Sequence, residues 1–149
     1  MINKNTFLKN ILLSIEKNIN LNSRKYISYK ADKGYTSILD IKINNYLYKN
    51  IKSNFPNDLI ISEEDLDINN LISKKNVVNR DVWIIDPLCG TTNQVRQIPF
   101  FANSISLIKA NKEIISAIYD VNRAELFYTD SKKTYLNNKT VTVSKVKKL

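Results

Sequence analysis

The sequence contains no histidine and a single cysteine, Cys89. Structural zinc and iron–sulfur sites take most of their ligands from these two residue types, so we expect neither kind of site in this protein. One cysteine cannot form a disulfide within the chain, which is typical of proteins in a reducing compartment. We therefore expect a cytoplasmic location.

Long apolar segments are also missing. No run approaches the roughly 20 apolar residues that a membrane-spanning helix needs, and residues 1–21 lack the compact apolar core and cleavage site of a signal peptide. Hydrophobic residues nevertheless make up 43% of the 149 residues and charged residues 25%. This balance is typical of a globular chain with a buried core, so we expect residues 1–149 to form one domain.

Acidic residues are in the minority, with 14 against 23 basic residues and a net charge of +9. A basic balance can indicate a nucleic-acid partner. The lysines are scattered, however, apart from Lys145, Lys147 and Lys148 near the end. Lys, Asn and Ile together supply 61 of the 149 residues, as in AT-biased coding sequences. We interpret the charge as compositional and expect no direct nucleic-acid binding and no membrane binding.

Two amphipathic helices are predicted in the first third of the chain. Apolar residues from Leu8 to Ile19 recur at the spacing of one helical face. A second apolar face runs from Leu39 to Ile51, and Ser37 can cap that helix with Asp40 three residues later. Pro56 ends it, because proline cannot continue a helix.

Short apolar runs between turn residues predict strands. Residues 59–61 and 82–85 are typical of strands that are buried on both faces. Three further β-rich runs and a final hairpin at Asn137 and Asn138 predict an antiparallel meander. These runs span 104–109, 113–120 and 124–129. The order of elements predicts an α/β fold in which two helices pack on a mostly antiparallel sheet.

Two acidic side chains follow neighbouring predicted strands. Glu63 follows the first strand and Asp86 ends the second, and such acids repel each other unless a cation lies between them. Mg²⁺ takes oxygen ligands, and the backbone carbonyl of Leu88 can supply a third oxygen. Taken alone, either acid could equally be a solvated charge at a strand end.

A turn at Gly90, Thr91 and Thr92 is a candidate phosphate site. Glycine permits a tight turn with its N–H group exposed. If a helix begins here, its free N–H groups and positive dipole end favour an anion. The alternative is that Thr91 or Thr92 caps the helix, and both can hold because they use the same amides.

The segment Trp83 to Asn93 reads W-I-I-D-P-L-C-G-T-T-N and resembles the metal- and phosphate-binding motif of the inositol monophosphatase family, W-I-I-D-P-L-D-G-T-T-N. The resemblance continues at 93–102, which is similar to N-F-V-x-G-I-P-F-F-A, and at 136–139, which is similar to L-N-G-K. It implies the N-terminal portion of the family's layered sugar-phosphatase fold. It also implies Mg²⁺-dependent hydrolysis of a small phosphate monoester, such as inositol phosphate or another polyol phosphate.

The resemblance implies a role for each site residue. Glu63, Asp86 and the Leu88 carbonyl match the ligands of the first metal ion, which activates the attacking water. Thr91 matches the residue that orients this water, and Asp40 matches an acid that acts through that threonine. On sequence grounds alone, Asp40 could equally be an ordinary acid in the first turn of a helix.

Two departures from the family pattern limit this inference. Cys89 replaces an acid that holds the second metal ion, and a thiol is a poor Mg²⁺ ligand. The family's C-terminal half, with a Trp-Asp segment that supplies another ligand of that ion, has no counterpart in these residues. We expect the first metal site to survive in weakened form, the second to be absent, and catalysis to be impaired. A complementing C-terminal chain could restore part of the site, and the other partner that we consider is a second copy of the chain in a homodimer.

Several glycines of the family are also replaced, at Gln97, Ser131, Lys133 and Asn138. Glycine loss is costly wherever a turn needs positive φ.

The alternative function is non-catalytic, since bacterial members of the family also act as accessory factors in RNA-polymerase antitermination. A Mg²⁺-dependent phosphatase assay distinguishes the two.

Overall fold

The structure is a computed structural model that describes residues 3–23, 25–30, 34–65, 80–110, 112–130 and 132–144. Residues 66–79 and the basic residues Lys145, Lys147 and Lys148 lie outside this part of the chain. Among the described residues, no helix is both long and apolar enough to cross a membrane.

The helices are α1 (Lys4–Leu13), α2 (Ile15–Asn18), α3 (Ile38–Asn54) and α4 (Thr91–Val95). The strands are β1 (Tyr26–Lys30), β2 (Gly34–Ser37), β3 (Leu59–Ser62), β4 (Val82–Cys89), β5 (Ala102–Lys109), β6 (Lys112–Asp120), β7 (Glu125–Thr129), β8 (Thr134–Leu136) and β9 (Lys139–Val141).

The first predicted helix is divided in two at Ser14. Its hydroxyl donates to the Ile11 carbonyl at 2.7 Å and lies 2.8 Å from the Tyr46 hydroxyl. A serine hydroxyl that bonds to a backbone carbonyl three residues earlier competes with the backbone hydrogen bonds of the helix. Helix α1 therefore ends and α2 begins at Ser14. The five predicted core positions are all buried, namely Leu8, Ile11, Leu12, Ile15 and Ile19.

The second predicted helix, α3, begins where its cap predicts. The Ser37 hydroxyl accepts from the Leu39 and Asp40 backbone N–H groups, and Asp40 accepts from the Ser37 N–H at 2.9 Å. This reciprocal arrangement is a capping box. It holds Asp40 in a fixed place at the start of α3, where the side chain is only 3% exposed.

Seven strands form one sheet in the order β3-β4-β5-β6-β7-β8-β9. β3 and β4 are parallel and every other neighbouring pair in this sheet is antiparallel. Helices α1 and α3 pack against one face and share a single core with it. This confirms the predicted α/β fold, with helices on a mostly antiparallel sheet. β1 and β2 form a separate antiparallel pair.

In the part of the chain that the structure describes, the opposite face of the sheet is open. Ile84 in β4 is 41% exposed, and Ile118 and Phe127 are exposed beside each other on β6 and β7. The expectation that residues 82–85 are buried on both faces is therefore wrong. Among the residues that the structure describes, helices cover only one face, so Trp83 and Ile85 are buried while Ile84 between them points away from the core.

The beginning of β4 is anchored by a polar and aromatic cluster. The Trp83 indole N–H donates to the Asp58 carboxylate at 2.8 Å, and the Trp83 ring stacks on Phe55 with centroids 5.6 Å apart. Lys4 on α1 binds both Asp58 and Asp81. These contacts fix β4 at one end, so the residues at its other end have a defined place.

The final hairpin forms as predicted. Asn137 and Asn138 join β8 to β9 with φ values of 47° and 69°. Asparagine adopts these left-handed angles more readily than most residues.

Candidate metal and phosphate site

Two carboxyl groups meet at the end of the parallel strand pair. Glu63 directly follows β3, and its backbone N–H donates to the Ile85 carbonyl of β4 at 3.0 Å. This extends the β3–β4 pairing by one residue and brings the Glu63 side chain beside Asp86. The two carboxyl groups share a hydrogen bond. Partial burial, followed by the charge of Asp86 and this bond, raises the pKa of Glu63 to about 7.

Two carboxyl groups this close repel each other when both are charged, and a cation between them would relieve that repulsion. The available donors are two carboxylates and the backbone carbonyl of Leu88, all of them hard oxygen atoms of the kind that Mg²⁺ prefers. In the described part of the chain, no group of three or more His, Cys, Asp or Glu side chains could hold a metal ion. The donor set therefore fits Mg²⁺ only if a backbone oxygen takes part.

Thr91 connects α3 to the turn that follows β4. Its hydroxyl lies 2.8 Å from an Asp40 carboxylate oxygen and 3.1 Å from the Leu88 carbonyl oxygen. A hydroxyl group has one proton to donate. When that proton points to Asp40, the lone pairs of Thr91 are free to accept a hydrogen bond from a water molecule.

Asp40 takes part in two sets of hydrogen bonds. It completes the capping box of α3 through Ser37, and it also accepts from Thr91, which lies 51 residues further along the chain. The structure brings Asp40, Thr91 and Leu88 together at one point, and it brings Glu63, which follows β3, together with Asp86 in β4.

Gly90 makes the turn from β4 into α4. Its φ of +97° lies in the left-handed region, and a Cβ atom added here would lie 2.8 Å from the Phe100 carbonyl oxygen. Gly90 itself is the N-cap of α4, so the alternative that Thr91 or Thr92 caps this helix is wrong. The Thr91 hydroxyl bonds instead to Asp40 and Leu88.

Cys89 lies next to the acid pair as a neutral group. Its thiol is hydrogen-bonded to the Asp86 carboxylate. Partial burial, followed by the negative charges of Asp86 and Glu63, raises the pKa of Cys89 above its ordinary value. A thiol that stays protonated donates to Asp86 and adds no charged ligand.

Two polar residues near the site were not identified from the sequence. Gln94 on α4 is buried and donates to the Leu21 and Ser23 carbonyls, both at 2.9 Å, which ties α4 to the segment after α2. Asn103 on β5 is buried and donates to the Pro87 carbonyl. Asn103 could have been identified from the sequence, because it is a polar residue at a core-facing position of β5. The other core-facing residues of this strand include Ile105 and Leu107.

Comparison with known proteins gives a consistent result. The sequence model of the inositol monophosphatase family matches residues 7–149. The chain is 34% identical over 136 residues to an inositol monophosphatase of Dictyostelium discoideum, covering 87% of this chain and 47% of that protein. It is also 34% identical over 122 residues to the Nus factor SuhB of Vibrio cholerae, covering 80% of this chain and 43% of that protein.

A solved structure shows the same fold. An IMPase/NADP phosphatase, crystallised with Mg²⁺ and phosphate, superposes with a TM-score of 0.71 at 19% identity. The superposition covers 89% of this chain and 48% of that one. The chain spans about half the length of the curated relatives that it matches.

Proposed function

The chain belongs to the inositol monophosphatase family, and we propose that Glu63, Asp86 and the Leu88 carbonyl bind one Mg²⁺ ion for the hydrolysis of a small phosphate monoester. The observation that carries this proposal is the Thr91 hydroxyl, which bridges the Asp40 carboxylate and the Leu88 carbonyl beside the paired carboxyl groups of Glu63 and Asp86. The substrate class is a phosphorylated polyol such as inositol phosphate.

The residues of the chain divide the work among them. Bound Mg²⁺ would supply a Lewis acid that activates water and stabilises charge on the phosphate. Asp40 accepts a hydrogen bond from the Thr91 hydroxyl, so the Thr91 oxygen can accept a hydrogen bond from the attacking water and orient it. The turn from Gly90 to Thr92 presents backbone N–H groups at the start of α4, where an anionic phosphate is favoured.

Catalysis is impaired at the position of Cys89. The leaving oxygen of a phosphate ester also needs stabilisation, and in this family's motif an acid stands where Cys89 does. A protonated thiol that donates to Asp86 is a weak substitute for a charged oxygen ligand. We infer that these 149 residues hold one metal site with little phosphatase activity of their own.

We also propose that a further layer of polypeptide covers the open face of the sheet. Ile84, Ile118 and Phe127 are exposed there, and Asp86 points to the same side as Ile84 because side chains alternate along a strand. A second copy of the chain would cover this face next to the acid pair. Such an assembly in the reducing cytoplasm agrees with the single cysteine.

The second candidate function is a non-catalytic binding role. It is favoured by the 34% identity to a relative named as a Nus factor. In this case the fold and the open sheet face would be used for contact with a transcription partner, and Mg²⁺ binding would be dispensable.

Calorimetric titration with Mg²⁺ tests the metal site. The unmodified chain should bind one ion, Glu63→Gln and Asp86→Asn should each lose that binding, and the matched variant Glu125→Gln, on β7, should retain it. Absence of Mg²⁺ binding in the unmodified chain would refute the metal site and favour the binding role. Release of phosphate from inositol monophosphate at the rate of a full-length relative would refute the inference of impaired catalysis.

A further inference from the structure

The pairing of β4 with β5 contains a β-bulge near the end of β4, just before the turn at Gly90. Asp86 pairs with Ser104 and Cys89 pairs with Ala102, and the register shifts between these two pairs. Pro87 and Leu88 therefore lie opposite a single residue, Asn103. Pro87 has no N–H group to contribute to the ladder, and a bulge bends and twists the strand that carries it. The bulge thus turns the strand at the residues that the proposed metal site uses.

The side chain of Asn103 makes a hydrogen bond at this bulge. Its side-chain N–H donates to the Pro87 carbonyl at 2.5 Å. Asn103 is 1% exposed and faces the core, as Ile105 and Leu107 do further along β5. The bond gives the carbonyl group of the buried Pro87 a hydrogen-bond partner.

An asparagine is an expensive choice for this position. Its Oδ1 atom is buried and has no hydrogen-bond partner among the described residues. A buried polar atom without a partner is destabilising, and an aliphatic side chain would avoid that penalty. The benefit must therefore come from the other half of the amide, the donor that holds Pro87.

Fixing the Pro87 carbonyl also fixes its neighbours, because the peptide group between Pro87 and Leu88 is planar. The Leu88 N–H at the other side of this plane donates to Asp86 Oδ1 at 3.2 Å. The Leu88 carbonyl oxygen lies 3.1 Å from the Thr91 hydroxyl oxygen. A single clamped peptide group thus links a carboxylate and a carbonyl that are both proposed ligands.

We propose that Asn103 is a positioning residue that aims Asp86 and the Leu88 carbonyl at the Mg²⁺ ion through its hydrogen bond to Pro87. This inference rests on the proposed function, since it assigns a role to Asn103 in the same metal site. Asn103 contacts neither the ion nor the substrate, and its effect travels through the bulge. Residues that orient metal ligands in this way typically change metal affinity by about 10–100-fold when they are replaced.

Two aliphatic variants test the proposal in the complete 149-residue chain. Asn103→Val removes the donor, and Asn103→Leu removes it while filling more of the space of the amide. Binding of Mn²⁺, followed by the electron paramagnetic resonance signal of the free ion, should weaken about tenfold in both. The control is Ile105→Val, a buried core-facing change two residues along the same strand, which should leave Mn²⁺ affinity within about twofold of the unmodified chain.

A second measurement needs no metal ion. It reports on the hydrogen bond from Asn103 to the Pro87 carbonyl, which we call the clamp. Hydrogen exchange at the Leu88 amide should accelerate in both Asn103 variants beyond any change in global stability, and Ile105→Val should show no such local effect. In the unmodified chain, Mg²⁺ should shift the side-chain NH₂ resonances of Asn103, which requires no variant to fold.

The outcomes separate this inference from the proposed function. If the unmodified chain binds no Mn²⁺, the metal site itself is wrong, and unchanged Leu88 exchange in the variants would show that the clamp is wrong as well. If the unmodified chain binds Mn²⁺ and folded Asn103→Val or Asn103→Leu binds it equally tightly, the positioning role is overturned. Unmoved Asn103 resonances at saturating Mg²⁺ would also overturn it.

Discussion

The Thr91 hydroxyl lies 2.8 Å from the Asp40 carboxylate, although the two residues are 51 positions apart in the sequence. Asp40 is held by the capping box at the start of α3, and Thr91 begins α4 directly after the motif turn. The contact therefore connects the helical layer to the end of β4. It gives the buried Asp40 carboxylate a third donor beside the Ser37 hydroxyl and N–H.

Thr91→Val should destabilise the protein by about 1–2 kcal/mol, because a nearly isosteric side chain replaces a donor to a buried carboxylate. Thr91→Ser keeps the hydroxyl and should lose far less. Urea unfolding of both variants measures the difference. Equal midpoints for Thr91→Val and the unmodified chain would show that the bond between Thr91 and Asp40 does not contribute to stability.

Gly90→Ala should be more damaging than most changes in the motif. The residue has φ of +97°, and the new Cβ atom would approach the Phe100 carbonyl oxygen to 2.8 Å. We expect a loss of about 2–3 kcal/mol in the free energy of unfolding. Pro99→Ala, in the exposed loop that precedes Phe100, serves as a comparison and should have a smaller effect. A melting temperature for Gly90→Ala equal to that of the unmodified chain would contradict the geometry of the turn.

Gln97→Gly should stabilise the protein by about 0.5–1 kcal/mol, since Gln97 has a φ of 64° and glycine adopts that angle without strain. Asn138→Gly is the matched control at a φ of 69°, and its gain should be smaller because asparagine tolerates the left-handed region. Thermal unfolding monitored by circular dichroism compares the two. A lower melting temperature for Gln97→Gly would mean that the glutamine side chain contributes more than its backbone angle costs.

Cys89→Asp should raise Mg²⁺ affinity about tenfold, which corresponds to ~1.4 kcal/mol, and should restore only part of catalysis. The variant places a charged oxygen donor where a thiol now bonds to Asp86. Cys89→Ser supplies a neutral oxygen and should show a smaller gain. Titration calorimetry measures affinity and a phosphate-release assay measures turnover. Equal Mg²⁺ affinity in all three proteins would mean that position 89 does not face the ion.

Local sequence signals predicted much of the fold. The spacing of apolar residues identified the faces of α1, α2 and α3, and Ser37 with Asp40 identified the start of α3. The two asparagines identified the last hairpin. Each of these features depends on residues that are close together in the sequence, so local sequence patterns were enough to predict them.

Features that depend on distant partners could not be derived in the same way. The break at Ser14 involves Tyr46, the bulge at Pro87 involves Asn103, and the exposure of Ile84 depends on which face of the sheet the helices cover. An apolar run does not state whether one or both of its faces are buried. The proposed site residues could be selected from the sequence because the acids follow strand ends, whereas Asn103, which bonds to Pro87, comes from another strand.

The most direct test of the account is a crystal structure of the 149-residue chain soaked in Mn²⁺ and measured at the manganese absorption edge. The account predicts one anomalous peak at ~2.1–2.2 Å from oxygen atoms of Glu63, Asp86 and the Leu88 carbonyl, and no second ion beside Cys89. A peak at another place, a second ion coordinated by Cys89, or no peak at saturating Mn²⁺ would contradict it.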